Sequence, residues 1–431
     1  MFHIFFSADK NYIPYTAVLI TSIIKNTNPQ KSFKDFCTTL SDSLPSLDYP
    51  RLQYDNLDEL DKSEGYVFHI LSDSIPKDLQ IKLQNFIQEL STFYPCTLQI
   101  HTIDDADFAH FPISGAAHSS HLPYYRLKWQ DYIKPAPQKC LYLDSDMLVL
   151  CDLRELFALD LKDNIAGIIG DCGSKNRKIK YQENNHKKTF YFDENYFNSG
   201  FLLINSKQYI KEQIWEKCEN LAPKCTYIKA ADQDLLNFTI PINKCLKLPF
   251  AYNFQCITLL YVLCKDECKN RLNYTREAFN KSFKNPKILH YGEKPWRYLQ
   301  SYQDYKGNNI NDIWWKYAKQ TPIFGENLLK QKSQINDYKL FAILGYYALL
   351  YTTNFLGYFN LSKLLKSDND SKLLQEVSKI PDSQFGLCCV LGEVILYARK
   401  HNKNLLNIIP KIYKIKKHYK KYATHKQSIK S

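Results

Sequence analysis

The sequence predicts an α/β fold: a sheet covered by helices, with a helical appendage after it. Three observations predict it. Short, nearly all-apolar runs recur from Phe2 to His290, alternating with stretches of helical spacing. Polar residues follow most of these runs, as they do at the carboxyl edge of an open α/β sheet. Beyond residue 327 the alternation stops and the composition becomes helical. A length of 431 residues suits a large core domain plus an appendage.

In chain order, Phe2–Ser7 reads as a buried strand and Ala8–Tyr12 as a loop. Ala17, Ile20, Ile23 and Ile24 then share one side of a helix over Tyr15–Asn26. Asp9 and Asn11 fall at the strand's end, where turn and capping chemistry competes with ligand binding. Residues 28–64 carry eight acidic and four basic residues and break the rhythm. They are expected as a surface insertion. Strands follow at Tyr66–Leu71 and Thr97–Thr102, with a helix over Lys77–Ser91 between them. Pro123–Tyr132 reads as a helix carrying Arg126.

Lys139–Leu150 is the stretch around which the rest is arranged. The apolar run Cys140–Leu143 ends on Asp144-Ser145-Asp146, and Met147–Leu150 is apolar again. Two carboxylates at the end of a buried strand need a partner charge, and a divalent cation is one. A polar turn is the other reading. Ile165–Ile169 is a further strand, ending at Gly170-Asp171, and Lys175–Lys188 is expected as a mobile surface loop. Tyr196–Gly200 then precedes the strand Phe201–Asn205. Asn198 and Gly200 there fit either a close approach of backbone to ligand or a simple turn. Lys207–Glu219 reads as a helix. Ala230–Asp234 opens another, with Asp232 as ligand contact or N-cap. Pro241–Pro249 and Tyr252–Phe254 are short extended pieces. Lys287–His290 is a last strand, and Tyr291–Trp296 a loop.

The net charge of +13 is uneven: residues 410–431 hold eight Lys and no acidic residue, leaving +5 for the remainder. A basic tail interleaved with Ile and Tyr fits an anionic membrane surface, and no nucleic-acid motif accompanies it. Thirteen Cys without a C-x-x-C pair fit a reducing compartment, and the N-terminus lacks a signal-peptide layout. Leu340–Phe359 holds twenty residues without a charge. Four Tyr, two Thr, Asn354 and two Gly dilute it, so a helical hairpin is expected rather than a membrane span.

Seven ordered motifs tie these pieces together: FFSADKNYIPY at Phe5–Tyr15, VFHILSDSI at Val67–Ile75, YYRLK at Tyr124–Lys128, LYLDSDMLV at Leu141–Val149, YFNSGFLLIN at Tyr196–Asn205, ADQDLLN at Ala231–Asn237 and HYGEKPW at His290–Trp296. On these motifs the chain resembles glycosyltransferase family 8, of the bacterial lipopolysaccharide galactosyl- and glucosyltransferase type. The resemblance implies a GT-A nucleotide-diphospho-sugar transferase fold, a Rossmann-like mixed sheet flanked by helices. The catalytic domain would occupy 1–27 and 65–320, with a helical region over 327–409 and a basic tail over 410–431. It implies a UDP-hexose donor, a lipopolysaccharide or oligosaccharide acceptor, Mn²⁺ with Mg²⁺ as the alternative, and retention of configuration. Asp144, Asp146 and His290 then resemble the metal ligands. Asp9 and Asn11 resemble contacts to uracil and ribose. Arg126, Asp171, Asn198, Asp232 and Gln233 fall on the donor side, with Asp232 and Gln233 nearest the reacting carbon, and Gly292 and Lys294 fall at the diphosphate. The last motif, His290–Trp296, is two residues shorter than the family's usual form. The expected location is the cytoplasmic face of the bacterial inner membrane, as a peripheral protein.

Two rivals remain. A haloacid-dehalogenase-like phosphatase also places D-x-D after an apolar strand, but on its first strand, and with Thr or Val where this chain has Leu148. The other is a non-catalytic family member acting as a glycan-binding or assembly scaffold.

Overall fold

The computed structural model describes residues 1–38, 44–45, 48–113, 120–173, 177–259, 273–292, 294–297, 303–334, 336–352, 355–366, 380, 382–400, 404 and 407–417. Glu293, Asn354 and the tail beyond 417 lie outside them. Two compact units result. The first comprises Met1–Cys256, Arg271–Gly292 and Tyr317–Gly325; the second comprises Ile257–Asn270, Glu293–Lys316 and Glu326–Ser431.

Among the described residues the first unit holds the strands β1 (Phe2–Ser7), β2 (Tyr66–Ser72), β3 (Cys96–Thr102), β4 (Lys139–Leu143), β5 (Met147–Val149), β6 (Ala166–Ile168), β7 (Lys178–Glu183), β8 (His186–Tyr191), β9 (Phe201–Asn205), β10 (Cys225–Tyr227), β11 (Cys245–Lys247), β12 (Phe254–Gln255) and β13 (Ile288–His290). Seven form the main sheet, in the order β11-β6-β9-β4-β1-β2-β3. Within it β9 runs antiparallel to both neighbours, β4 and β6, and the other pairings are parallel. The start of β9 therefore meets the ends of β4 and β6 at one sheet edge.

The apolar runs form these strands because both faces are covered. Every residue of β2 and β4 is buried. The helix Ile13–Asn26 carries Pro14 in its first turn and buries Ala17, Val18, Leu19, Ile20, Ile23 and Ile24. Beneath the other part of the sheet lies a core containing Phe5, Trp129, Tyr142, Tyr209 and Trp215. Within 28–64, Phe33, Cys37 and Leu44 are buried and Arg51 bridges to Leu159. The described cysteines are free thiols, most of them buried.

Three expectations change. Lys178–Glu183 and His186–Tyr191 form an antiparallel hairpin, extended by β10, where a mobile loop is expected. Asn184 and Asn185 both take positive φ (49° and 60°), which is the two-residue turn that matches strand twist. The hairpin is mostly exposed, so it lacks the apolar alternation that would mark it. Lys207–Glu219 is two helices, Ser206–Lys211 and Ile214–Leu221, broken at left-handed Gln213 (φ 52°). Arg126 sits in a 3₁₀ helix, Leu122–Lys128, continued by a short α-helix, Trp129–Tyr132.

The second unit is helical. Asn336–Tyr351, Phe355–Lys366 and Asp382–Lys400 are helices, and so is 407–417. The uncharged run over 340–359 is thus divided between two helices. Leu344, Ala348, Leu361, Leu391, Ile395, Ile408 and Ile412 form their common core. The first and third helices pack so closely that a Cβ on Gly345 would fall on the Cys388 carbonyl oxygen. Among the described residues no helix is long and apolar enough to cross a membrane.

His3, His69 and His101, on β1, β2 and β3, stack as a column. His3 Nδ1 lies 3.0 Å from His69 Nε2, and His69 Nδ1 lies 3.0 Å from His101 Nε2. Burial, with the neighbouring charges of the column and the N-terminus, lowers His3 to about 4 and His69 to about 3, and burial lowers His101 too. A folded-state pKa below that of the unfolded chain stabilises above the unfolded value, near 6.5, and that stability is lost as pH falls. The melting temperature should drop steeply between pH 6.5 and 4, with His69 alone accounting for on the order of 2–3 kcal/mol. In His69→Leu that slope should flatten.

Candidate active site

The site is assembled at the edge where β9 meets β4 and β6. Asp144 N donates to Gly200 O at 2.9 Å, continuing the β4–β9 ladder to its last rung. Asp144-Ser145-Asp146 then forms a tight turn into β5, closed by Met147 N to Asp144 O at 3.0 Å. Ser145 points inward: Thr16 Oγ1 donates to its Oγ (3.0 Å), and it donates to Ser7 O (3.3 Å). The middle residue therefore anchors the turn to β1 and to the first helix, and the two aspartates project from it.

His290 joins them through strand register. β13 pairs antiparallel with β5, placing His290 opposite Met147, and Tyr291 N donates to Asp146 O at 3.0 Å. His290 Nε2 lies 3.3 Å from Asp146 Oδ1 and 3.8 Å from Asp144 Oδ2. Ligand atoms of the three residues all lie within 4.8 Å of one another. Two carboxylates and one imidazole suit a divalent cation. The backbone makes room for the cluster: a Cβ on Gly200 would lie 2.5 Å from Asp144 Oδ2 and 2.8 Å from His290 Cε1.

Arg126 holds the next layer. Its guanidinium, 7% exposed, contacts Asp144 Oδ1 at 2.9 Å and Asp232 Oδ2 at 3.3 Å. It also donates to Ser199 O and Pro123 O, both at 3.0 Å, and lies 4.0 Å above the Tyr142 ring. Tyr142 donates its hydroxyl to Asp144 Oδ1 at 2.9 Å. Burial would depress Arg126, but Asp144 and Asp232 outweigh it and hold it above the ordinary arginine value. Burial pushes the Asp232 carboxyl up to about 6 against the pull of Arg126, and Asp144 raises it further. Asp232 Oδ2 is buried, with Arg126 Nε as its charge partner.

The amides form a connected set. Gln233 Oε1 accepts from Asn198 Nδ2 (3.0 Å) and Ser199 N (3.1 Å), while its Nε2 donates to Asp171 Oδ2 (3.1 Å). Asp232 and Gln233 open the helix Ala231–Thr239 and are buried. Asp9 Oδ1 accepts from the backbone N–H groups of Asn11 and Tyr12, at 2.8 and 2.9 Å, so this carboxylate caps the turn after β1. Asn11 is exposed at the same sheet edge. Gly292 closes a segment of the first unit, and Lys294 belongs to the second.

Of the residues singled out in the sequence, Asp144, Asp146, His290, Arg126, Asp171, Asn198, Asp232 and Gln233 are brought into one connected group. Gly200, also singled out there, lies against the cluster, and three more residues belong to the group: Tyr142, Ser199 and Asn253. Tyr142 reads as an ordinary apolar strand residue. Asn253 carried one signal, an amide lodged between aromatic Tyr252 and Phe254.

The glycosyl transferase family 8 model matches residues 3–300. A lipopolysaccharide 1,2-glucosyltransferase of Escherichia coli is 30% identical over 269 residues, covering 60% of this chain and 73% of that protein. General stress protein A of Bacillus subtilis (strain 168) is 28% identical over 249 residues, covering 56% of this chain and 79% of that protein. Among solved structures, the apo bifunctional glycosyltransferase WbbM superposes with a TM-score of 0.53 at 20% identity, over 77% of this chain and 51% of that one.

Gly200→Ala tests the cradle. The overlapping atoms are side-chain ends, so the fold should survive while the cluster is pushed apart. Mn²⁺ binding measured by calorimetry should weaken at least tenfold with the melting temperature little changed.

Proposed function

The chain belongs to glycosyl transferase family 8, and we propose that it transfers a hexose, glucose or galactose, from a UDP-sugar to a lipopolysaccharide or oligosaccharide hydroxyl with retention of configuration. One observation carries this reading. The metal-type cluster Asp144–Asp146–His290 and the amide set around Gln233 are joined through Arg126 and the Asn198–Gly200 turn. A diphosphate leaving group and the sugar attached to it need those two chemistries side by side.

A divalent cation held by Asp144, Asp146 and His290, Mn²⁺ in this proposal, supplies Lewis acidity to the leaving diphosphate. Arg126 works inside the protein: its donors are engaged by Asp144, Asp232, Ser199 and Pro123, so it holds the carboxylates rather than the phosphates. The added positive charge at the diphosphate is assigned to Lys294, and Gly292 allows backbone approach there. Asp9 and Asn11 are assigned to the nucleoside. Asp232, its Oδ2 ion-paired with Arg126 Nε at 3.3 Å, is assigned to a sugar hydroxyl.

Retention has two routes. A double displacement needs a nucleophile, and Gln233 is poorly suited to it. An amide oxygen is weak, and here it already accepts from Asn198 and Ser199. Attack by the acceptor hydroxyl on the face that the leaving group departs from needs no such group. The developing charge at the sugar carbon has oxocarbenium character, and Gln233 and Asp232 are assigned to that sugar.

The proposal also locates the protein on the anionic cytoplasmic face of a bacterial inner membrane. Helix 407–417 turns Ile408 and Ile412 into the core of the second unit, while Lys411, Tyr413, Lys414 and Lys417 face outward. Its apolar side is used within the protein, so the attraction is electrostatic, with Tyr413 at the interface.

Two outcomes test these readings. Asp146→Asn should lose at least a thousandfold in transfer while melting normally; in a UDP-sugar panel with Mn²⁺, wild-type turnover by this variant would remove the metal assignment. Replacing Lys411, Lys414 and Lys417 by Gln should weaken sedimentation with phosphatidylserine vesicles on the order of a hundredfold, at about 1 kcal/mol per Lys. Turnover on a soluble acceptor should stay unchanged, and added salt should abolish the difference.

A further inference from the structure

Asn253 has no exposed surface and makes two hydrogen bonds, both to residues of the site. Its Nδ2 donates to Asn198 Oδ1 at 2.9 Å, and its Oδ1 faces His290 Nδ1 at 2.9 Å. The orientation of each amide along this path follows from two backbone N–H groups, which can only donate. Ser199 N donates to the Gln233 atom at 3.1 Å, which must then be Oε1. The Asn198 atom 3.0 Å from that oxygen must therefore be Nδ2. Its other atom must be Oδ1, and Gly200 N donates to that same atom at 3.2 Å. An acceptor there requires Nδ2 of Asn253, which turns Oδ1 of Asn253 toward His290. An oxygen facing Nδ1 requires the proton on Nδ1. The Nε2 lone pair is then directed toward Asp146 and Asp144, at 3.3 and 3.8 Å.

We infer that Asn253 is a positioning residue that fixes the metal-binding tautomer of His290 and couples it to the amides that hold the hexose. Orienting partners of this kind raise metal affinity by keeping the ligand nitrogen deprotonated and aimed. The coupling has two directions. Displacing Asn198 would release Asn253 and with it the imidazole, and releasing His290 would loosen the Asn253 amide that donates to Asn198. The inference rests on the metal reading of Asp144, Asp146 and His290.

The test uses the full chain, free of nucleotide, with Mn²⁺ binding followed by the electron paramagnetic resonance of free Mn²⁺. Asn253→Ala should bind Mn²⁺ about 10–100-fold more weakly. Asn253→Asp should behave differently: a carboxylate still accepts the Nδ1 proton but offers Asn198 no donor. Its Mn²⁺ affinity should stay within about threefold of wild type, while KM for the UDP-hexose rises about tenfold and kcat changes less. A merely structural role would move both variants alike, with lowered melting temperatures, and that result overturns the inference. So does an Asn253→Ala protein that binds Mn²⁺ as wild type does. Wild-type protein that binds no Mn²⁺ overturns the metal reading and this inference with it, whereas an unchanged alanine variant overturns the inference alone.

Discussion

The site depends on one buried cation. Arg126 lies between Asp144 and Asp232 and carries contacts in three further directions, to Ser199 O, Pro123 O and the Tyr142 face. Without it, two carboxylates would stand close together with little solvent, and removing one partner of a buried pair costs about 3–5 kcal/mol. The planar fork matters as much as the charge. A lysine could neutralise one aspartate, but it could not reach both carboxylates and the β9 turn from one position. Arg126 thus gives Asp144 and Asp232 one shared charge partner.

The second constraint is topological. β9 is the strand that reverses direction in the main sheet, and its reversal brings Asn198-Ser199-Gly200 against the end of β4. A parallel strand at that position would have put the same residues at the opposite edge. The small sheet β12-β13-β5 does the same for the imidazole. Its register sets His290 beside the aspartate turn and Asn253 just before β12. The cluster Asp144–Asp146–His290 is therefore built on strands and their ends, where packing limits side-chain freedom.

Much of this was legible in the chain. The buried strands are apolar runs, the helix Ile13–Asn26 shows its spacing, and Asp144, Asp146 and Arg126 follow or precede such runs. What was not legible has specific causes. In the β7–β8 hairpin Ile179 is the buried residue of β7 and every residue of β8 is exposed, so its pattern carries little burial signal, and the Asn184-Asn185 turn is what betrays it. The break at Gln213 depends on tertiary packing that buries Ile214 and Trp215. At Asp9 the turn chemistry is what the geometry displays, through two backbone N–H groups. In helix 407–417, an alternation of Lys with Ile and Tyr conceals which side would be consumed by the protein's own core; Ile408 and Ile412 are.

Residue order alone determined the family, the α/β class and the identity of the chemical groups. Each of those is carried by a local pattern, an apolar run or a short motif. Only the tertiary structure decided how the groups combine. Asp144 and His290 are distant in the chain and meet through the pairing of β13 with β5. Arg126 serves the carboxylates because its donors are spent on Asp144, Asp232, Ser199 and Pro123. Asn253 acquires a role because two backbone N–H groups, those of Ser199 and Gly200, orient the amides between them and His290. Hydrogen-bond direction is a property of placed donors and acceptors, and no local run of residues encodes it.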